Sequence, residues 1–265
     1  MPDLHLRLAE DESDCDHQLA MTPPPIDDVT AIALLERAEM SGETLVPWGS
    51  NYTFAVALHE PDTDDVVQFG IYKPMRGERP LWDFPRNTLY KRERASWLLA
   101  DMLGWRMVPP TVIRHGPHGV GSLQLYVEPV EAMSEQATLA FWERQSPDIE
   151  RIVLFDLIAN NADRKLTHCL LDVHGRVWGI DHGLTFNMVP KLRTVLWQFV
   201  GEPISIELLG DIARIRNDEA VLRASMCDVL LPEEVEALID RIDTILASGH
   251  HPMLDPNRNV PYGWW

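Results

Sequence analysis

Asp163-Arg164-Lys165-Leu166-Thr167-His168, followed 13 residues after His168 by Asp181-His182-Gly183, is the stretch on which the reading of this 265-residue chain turns. The first piece stops a helical pattern. The second follows two short β-like runs, Cys169-Leu170-Leu171-Asp172 and Arg176-Val177-Trp178-Gly179-Ile180, joined by the turn His174-Gly175. Both loops would therefore emerge on the same edge of a hairpin. An Asp on a loop, a metal-ligating side chain five residues on, and a second Asp after a hairpin suit phosphoryl transfer. Asp163 would orient or deprotonate an attacking hydroxyl. His168 and Asp181 would hold Mg2+ against nucleotide phosphates, whose charge must be neutralised for in-line transfer. The structural alternative is an Asp163–Arg164 ion pair near a helix end, without chemistry.

Upstream residues favour the chemical reading. Lys73 ends the β-like run Val66-Val67-Gln68-Phe69-Gly70-Ile71-Tyr72, where a cation could reach the α- and β-phosphates. Glu93 lies on the following helical pattern and could pair with Lys73, holding its ammonium in place. Before both, Trp48-Gly49-Ser50-Asn51-Tyr52-Thr53 reads as a turn between strands whose backbone amides could lie over phosphates, although it contains one glycine only. A lone strand lysine is ordinarily a solvated edge residue; four elements in this order are not explained that way.

Outward from these positions the texture divides in two. The first 27 residues, with the acidic run Glu10-Asp11-Glu12-Ser13-Asp14-Cys15-Asp16 and then Pro23-Pro24-Pro25, read as an unstructured tail. Asp28 is placed to cap a helix carrying Ile32, Leu34, Leu35 and Ala38. Thr53 to Leu58 and Val66 to Tyr72 read as a hairpin, Tyr90 to Leu103 as a helix ended by Gly104, and Thr111 to Arg114 and Ser122 to Val127 as two further strands. After Glu128-Pro129 helices dominate. Asp148 to Asn160 has apolar positions at Ile149, Ile152, Val153 and Leu157; a last helix opens at Pro232 and closes before Gly249. The expectation is an α+β chain of two lobes: a β-rich N-lobe over residues 28–128 and a mainly helical C-lobe over 129–265.

Composition excludes several classes. With 23 Lys plus Arg against 41 Asp plus Glu, the net charge is −18, which argues against nucleic acid as a partner and against stable docking on anionic membranes. No apolar run approaches the ~20 residues of a membrane span. Three scattered cysteines, Cys15, Cys169 and Cys227, make neither a disulfide framework nor a zinc knuckle, so a reducing, cytoplasmic setting is expected. Among the tryptophans, Trp48, Trp82, Trp97, Trp105, Trp142, Trp178 and Trp197 read as core or lobe-interface residues, and the terminal pair Trp264-Trp265 as a segment that tucks back or meets a partner. Against the overall charge, Lys73 to Arg94 carries seven basic and three acidic residues. That is a solvated face or a cationic rim for nucleotide phosphates or an acidic substrate.

Three motifs resemble the phosphatidylinositol 3- and 4-kinase-like branch of the protein-kinase fold, most of all its type II phosphatidylinositol 4-kinases and small bacterial phosphatidylinositol kinase-like proteins. Tyr72-Lys73-Pro74 is similar to that family's FKP, and Gly121-Ser122-Leu123-Gln124-Leu125-Tyr126-Val127-Glu128 to its GSFQLFVE hinge strand. Gly179-Ile180-Asp181-His182-Gly183-Leu184-Thr185-Phe186 is similar to its AIDNGLAF metal segment. The resemblance implies Asp163 as the catalytic Asp, Asp181 as the main Mg2+ ligand, Lys73 as the phosphate lysine and Glu93 as its partner. It also implies the hinge Leu125, Tyr126 and Val127 beside adenine, and Lys165 where protein kinases carry a lysine that steadies the transferred phosphoryl. His168 departs from the family's Asn, and imidazole favours Mn2+ over Mg2+. His182 departs too and reads as a packing or hydrogen-bonding residue. The expected function is transfer of the γ-phosphate of ATP, with Mg2+ or Mn2+, to a hydroxyl on a protein (Ser or Thr, in cis included) or a small molecule. A nucleotide-binding pseudokinase scaffold and a phosphoinositide kinase are the alternatives.

Overall fold

A computed structural model describes residues 25–46, 51–61, 65–130 and 133–262. The acidic run, Ser50 and Trp264-Trp265 lie outside them. Helix α1 (Asp28–Arg37) is capped one residue earlier than expected: Asp27, not Asp28, accepts the amides of Val29 and Thr30 at 3.0 Å each. Its Leu34 and Leu35 pack with Val56, Leu58, Tyr72, Val112 and Leu123. Those five come from strands β2 (Phe54–His59), β3 (Val66–Pro74), β4 (Thr111–Gly116) and β5 (Gly119–Leu125). With β1 (Glu39–Leu45) they form an antiparallel five-stranded sheet in the order β1-β2-β3-β5-β4. Strand β1 was not legible in the sequence. It is an exposed edge, Glu-Met-Ser-Gly-Glu-Thr-Leu, with a register shift at Gly42 (φ 64°) and no alternation to read.

Side chains alternate across β3, so Tyr72 enters the α1 cluster and Lys73 faces the other side. On that side lies α2 (Leu89–Leu103), ended by Gly104 in the left-handed region (φ 73°). The helical half follows: α3 (Glu135–Trp142), α4 (Pro147–Ala159), the β6 (Cys169–Leu171) and β7 (Val177–Gly179) hairpin, α5 (Ile206–Asn217), α6 (Glu219–Met226) and α7 (Pro232–Ser248). Its core joins Leu99 and Leu103 of α2 to Ile152 and Phe155 of α4, Ile212 of α5 and Leu238 and Ile242 of α7. The architecture is the expected one, a small sheet lobe followed by a mainly helical lobe. Among the tryptophans, Trp105, Trp142 and Trp178 are buried as expected, but Trp82 is 92% exposed. It lies in the Pro-flanked connection between β3 and α2, away from either core. No helix among the described residues is long and apolar enough to cross a membrane.

Candidate active site

Lys73 is the last residue but one of β3, where its side chain can reach both the first turns of α2 and the segment after β7. Its ammonium donates to Glu93 Oε1 and, at 2.9 Å, to Asp181 Oδ1. Glu93 is buried and uses its other oxygen to accept the His182 amide at 3.0 Å. Asp181 offers its second oxygen, Oδ2, to His168 Nε2 at 3.3 Å. His168 Nδ1 in turn donates to the carbonyl of Asp163 at 2.9 Å. A continuous polar chain thus runs from α2 through Lys73, Asp181 and His168 to Asp163. The Asp163 carboxylate meets Lys165 Nζ at 3.0 Å and is partly exposed at the cleft.

Electrostatics follow from that chain. Burial alone would depress the Lys73 ammonium, but the carboxylates of Asp181 and Glu93 outweigh it and hold its pKa above the ordinary value. Lys73 in turn, with His168, holds Asp181 below the usual carboxylate range despite burial. Burial depresses His168, with Arg164 adding to it against the pull of Asp181, so the ring is neutral near pH 7. Since Nδ1 carries the proton shared with the Asp163 carbonyl, the Nε2 lone pair faces Asp181 Oδ2. Two lone-pair donors 3.3 Å apart are close to the ~3 Å that separates neighbouring ligands of an octahedral ion with ~2.1 Å bonds. No group of three or more His, Cys, Asp or Glu gathers as a metal site among the described residues. A magnesium-type ion needs no such cage, because it keeps waters and takes substrate phosphates as its other ligands. The donor set therefore fits a divalent cation that arrives with a nucleotide.

The backbone is strained where the donors meet. Asp181 has φ 58°, a left-handed conformation that costs a non-glycine residue on the order of 1–3 kcal/mol and is kept only when surroundings dictate it. Arg164, which the sequence offered only as an ion-pair partner of Asp163, holds the residues on either side of Asp181, the Ile180 carbonyl and the His182 ring. Arg164 is fully buried and spends all five of its donors: Nε and Nη2 on the two oxygens of Asp156 (2.7 and 2.8 Å), Nη1 on the carbonyls of His168 and Ile180, and Nη2 also on His182 Nε2. Its partner is thus Asp156 of α4 and not the neighbouring Asp163. Asn161 extends the clamp, donating to Asp156 Oδ1 at 2.8 Å and accepting the Asp163 amide at 3.0 Å. His182 packs edge-on against Phe155 and hydrogen-bonds, as its type suggested.

Other expected positions are arranged less directly. Ser50 is outside the described residues. The Asn51 side chain accepts the Arg79 amide at 2.8 Å, which commits its oxygen to bracing the loop. At the hinge, the Leu125 amide donates to Pro110 and the Tyr126 amide to Phe69 at 3.0 Å, leaving the Tyr126 carbonyl and the Val127 amide outside those pairings.

No family model matches the chain. Two solved structures of the Golgi casein kinase, one with Mn/ADP bound, superpose with TM-score 0.50 at 12% and 13% identity, covering 83% of this chain and 74% of theirs. The fold is therefore kinase-like. In sequence, the chain is 34% identical over 227 residues to Protein Rv2133c of Mycobacterium tuberculosis (strain ATCC 25618 / H37Rv), which covers 73% of this chain and 81% of that protein. On that extent of similarity, the chain belongs to the family of Protein Rv2133c.

Proposed function

We propose that this chain is an atypical kinase that moves the γ-phosphate of ATP to a hydroxyl, with a divalent metal. The observation that carries the reading is the Lys73 ammonium held between Glu93 and Asp181, with Asp181 reaching on to His168. A preformed cation opposite a carboxylate–imidazole pair is what a nucleotide's phosphates and their metal require. Lys73 would bind the α- and β-phosphates, with Glu93 keeping its ammonium in reach. Asp181 and His168 would hold the metal, which when bound neutralises phosphate charge. Asp163 would orient the acceptor hydroxyl and take its proton, and Lys165 would steady the transferred group from beside it. Leu125, Tyr126 and Val127 would border the adenine, and the loop containing Ser50 and Asn51 would cover the phosphates. The fold supports this, since the Golgi casein kinase accommodates Mn/ADP on it. We place the acceptor on a protein or small molecule and not a lipid, because a chain of net charge −18 is repelled by anionic membrane. The scattered cysteines favour a cytoplasmic setting.

The test is incubation with γ-labelled ATP and either Mg2+ or Mn2+, followed by intact mass and measurement of released phosphate. Asp163→Asn should cost about 10^2–10^4 in turnover while nucleotide affinity stays close to wild type. Retained turnover would remove Asp163 from its role. Measurable nucleotide binding without any transfer or hydrolysis, in either metal, would turn the assignment toward a nucleotide-binding scaffold.

A further inference from the structure

The connection between β3 and α2 forms one wall of the cleft beside Asp163. Phe84 and Leu89 of that wall cluster with Ala162, the residue before Asp163, and with Leu184. Above them Arg79, Pro80, Leu81, Pro85, Arg86 and Asn87 line one shallow depression. Arg79 and Arg86 are exposed, as is nearby Arg76, and none of the three has a carboxylate partner among the described residues. Of the two acids of the connection, Asp83 binds Lys191 at 2.8 Å, while Glu78, which also lines the depression, is half-buried and accepts the Tyr90 amide through Oε1 at 2.8 Å, its Oε2 without a partner among the described residues. Elsewhere Arg37, Arg216 and Arg223 each hold a carboxylate. On a chain of net charge −18, Arg79 and Arg86, on the wall that packs against Ala162, are a local site for negative charge.

We propose that this rim docks the chain's own acidic segment, Glu10-Asp11-Glu12-Ser13-Asp14-Cys15-Asp16, and presents Ser13 to Asp163 as a phosphate acceptor. The segment carries five acids in seven residues with one hydroxyl among them, so it complements the arginines. The 12 residues from Ser13 to Pro25 can span up to ~40 Å. Asp28 meets Arg106 at 3.5 Å just past the C-terminal end of α2, and the rim precedes that helix's first residue; its 15 residues rise ~22 Å, which the tail's span exceeds. The docking stands on charge and reach; the acceptor role rests on the phosphotransfer reading. In that step Ser13 Oγ bonds to the γ-phosphorus, the bond from that phosphorus to the bridging oxygen breaks, and ADP leaves. The hydroxyl proton passes to the Asp163 carboxylate and on to water.

Two measurements on the full chain test this separately. With ATP and Mg2+ or Mn2+, phosphosite mapping should place the phosphate on Ser13. Arg79→Glu with Arg86→Glu should slow that labelling about tenfold or more at unchanged nucleotide affinity. Without ATP, hydrogen exchange over residues 78–88 should speed up when Glu10, Asp11, Glu12, Asp14 and Asp16 are replaced by their amides. It should also speed up in wild type at ~1 M salt, where the Debye length falls to ~3 Å. Labelling confined to Thr22 or another site, or labelling of Ser13 indifferent to charge reversal, overturns the proposal. If no phosphate moves in either metal, the phosphotransfer reading and Ser13's role fall together. Exchange then decides the docking alone: protection lost on neutralisation sustains it, and protection unchanged overturns it.

Discussion

Among the described residues two arginines, Arg92 and Arg164, are buried completely, and they are held differently. Arg164 satisfies all five donors on Asp156, His182 and two carbonyls. Arg92, on α2 beside Glu93, donates to Glu234 of α7 and to the Thr185 carbonyl and lies 5.0 Å over the Phe84 ring, yet its Nε has no partner among the described residues. The first clamps two loops of the helical lobe, at Asp163–His168 and Ile180–His182, onto α4. The second ties the helix that carries Glu93 across to α7 and the Asp181 segment. The difference teaches which half of the candidate site is over-determined. The Asp163–His168–Asp181 side is fixed by an arginine whose five N–H groups are all partnered, whereas the Lys73–Glu93 side depends on one with only two of its five partnered among the described residues.

The largest effect should come from breaking the saturated clamp. Arg164→Met leaves Asp156 buried and unpaired, which costs about 3–5 kcal/mol, visible in urea or thermal unfolding. Asp156→Leu with Arg164→Met should restore most of that stability, since apolar replacement of a buried pair is often neutral. It should not restore turnover, because the loops it orients are released. A double variant that is stable and fully active would show that the clamp serves folding alone. Arg92→Met should cost less, about 2–3 kcal/mol, because only two of its five N–H groups are partnered and Glu234 still caps α7 through the Leu231 amide at 3.0 Å. Its signature is functional: ATP affinity should weaken as Glu93 loses its bracing. An Arg92→Met protein that binds ATP normally but unfolds as readily as Arg164→Met would reverse the comparison.

The comparison also explains what the sequence could and could not disclose. Lys73, Glu93, Asp163, His168 and Asp181 are polar residues at strand ends, on one helix and in turns, where periodicity stops and side chains show as exceptions. Asp156 hides on the apolar stripe of α4, four residues after Ile152 and seven after Ile149. An acid at such a position must have a buried cation, and Arg164 in the following polar loop was the available partner. Arg92 hides in the same way on α2, three residues before Ala95 and seven before Leu99. Both pairs form across the tertiary fold, so no local pattern announces them. Helices α5 and α6 were equally silent, although Leu208, Ile212 and Ile215 have helical spacing, because charged residues interrupt every turn. Trp82 misled for the opposite reason. Its type suggests burial, while the prolines at 80 and 85 put it on a loop.

On the over-determined side, His168 sets a finer property. With Nδ1 fixed by the Asp163 carbonyl, its Nε2 is a softer ligand than the amide oxygen of an asparagine. His168→Asn should therefore move metal preference from Mn2+ toward Mg2+ in nucleotide-dependent thermal shifts. An unchanged ratio between the two metals would take His168 out of the metal's coordination.

Cysteine reactivity offers the smallest effect and the sharpest sign. Cys169 is buried directly after the clamped loop, and burial pushes its thiol up to about 12. At pH 8 a thiol with pKa about 12 is ionised to only ~10^-4, so alkylation should spare Cys169 while exposed Cys227 reacts, as peptide mapping can follow. Arg164 opposes the upward shift by its positive charge. If the clamp acted on Cys169 only through that charge, Arg164→Met would raise the thiol further and slow its alkylation. If the clamp is what keeps the loop closed, the same substitution should accelerate labelling, because local opening becomes cheaper by part of the lost stability. The two readings predict opposite directions from one variant, and a slower Cys169 would refute the clamp.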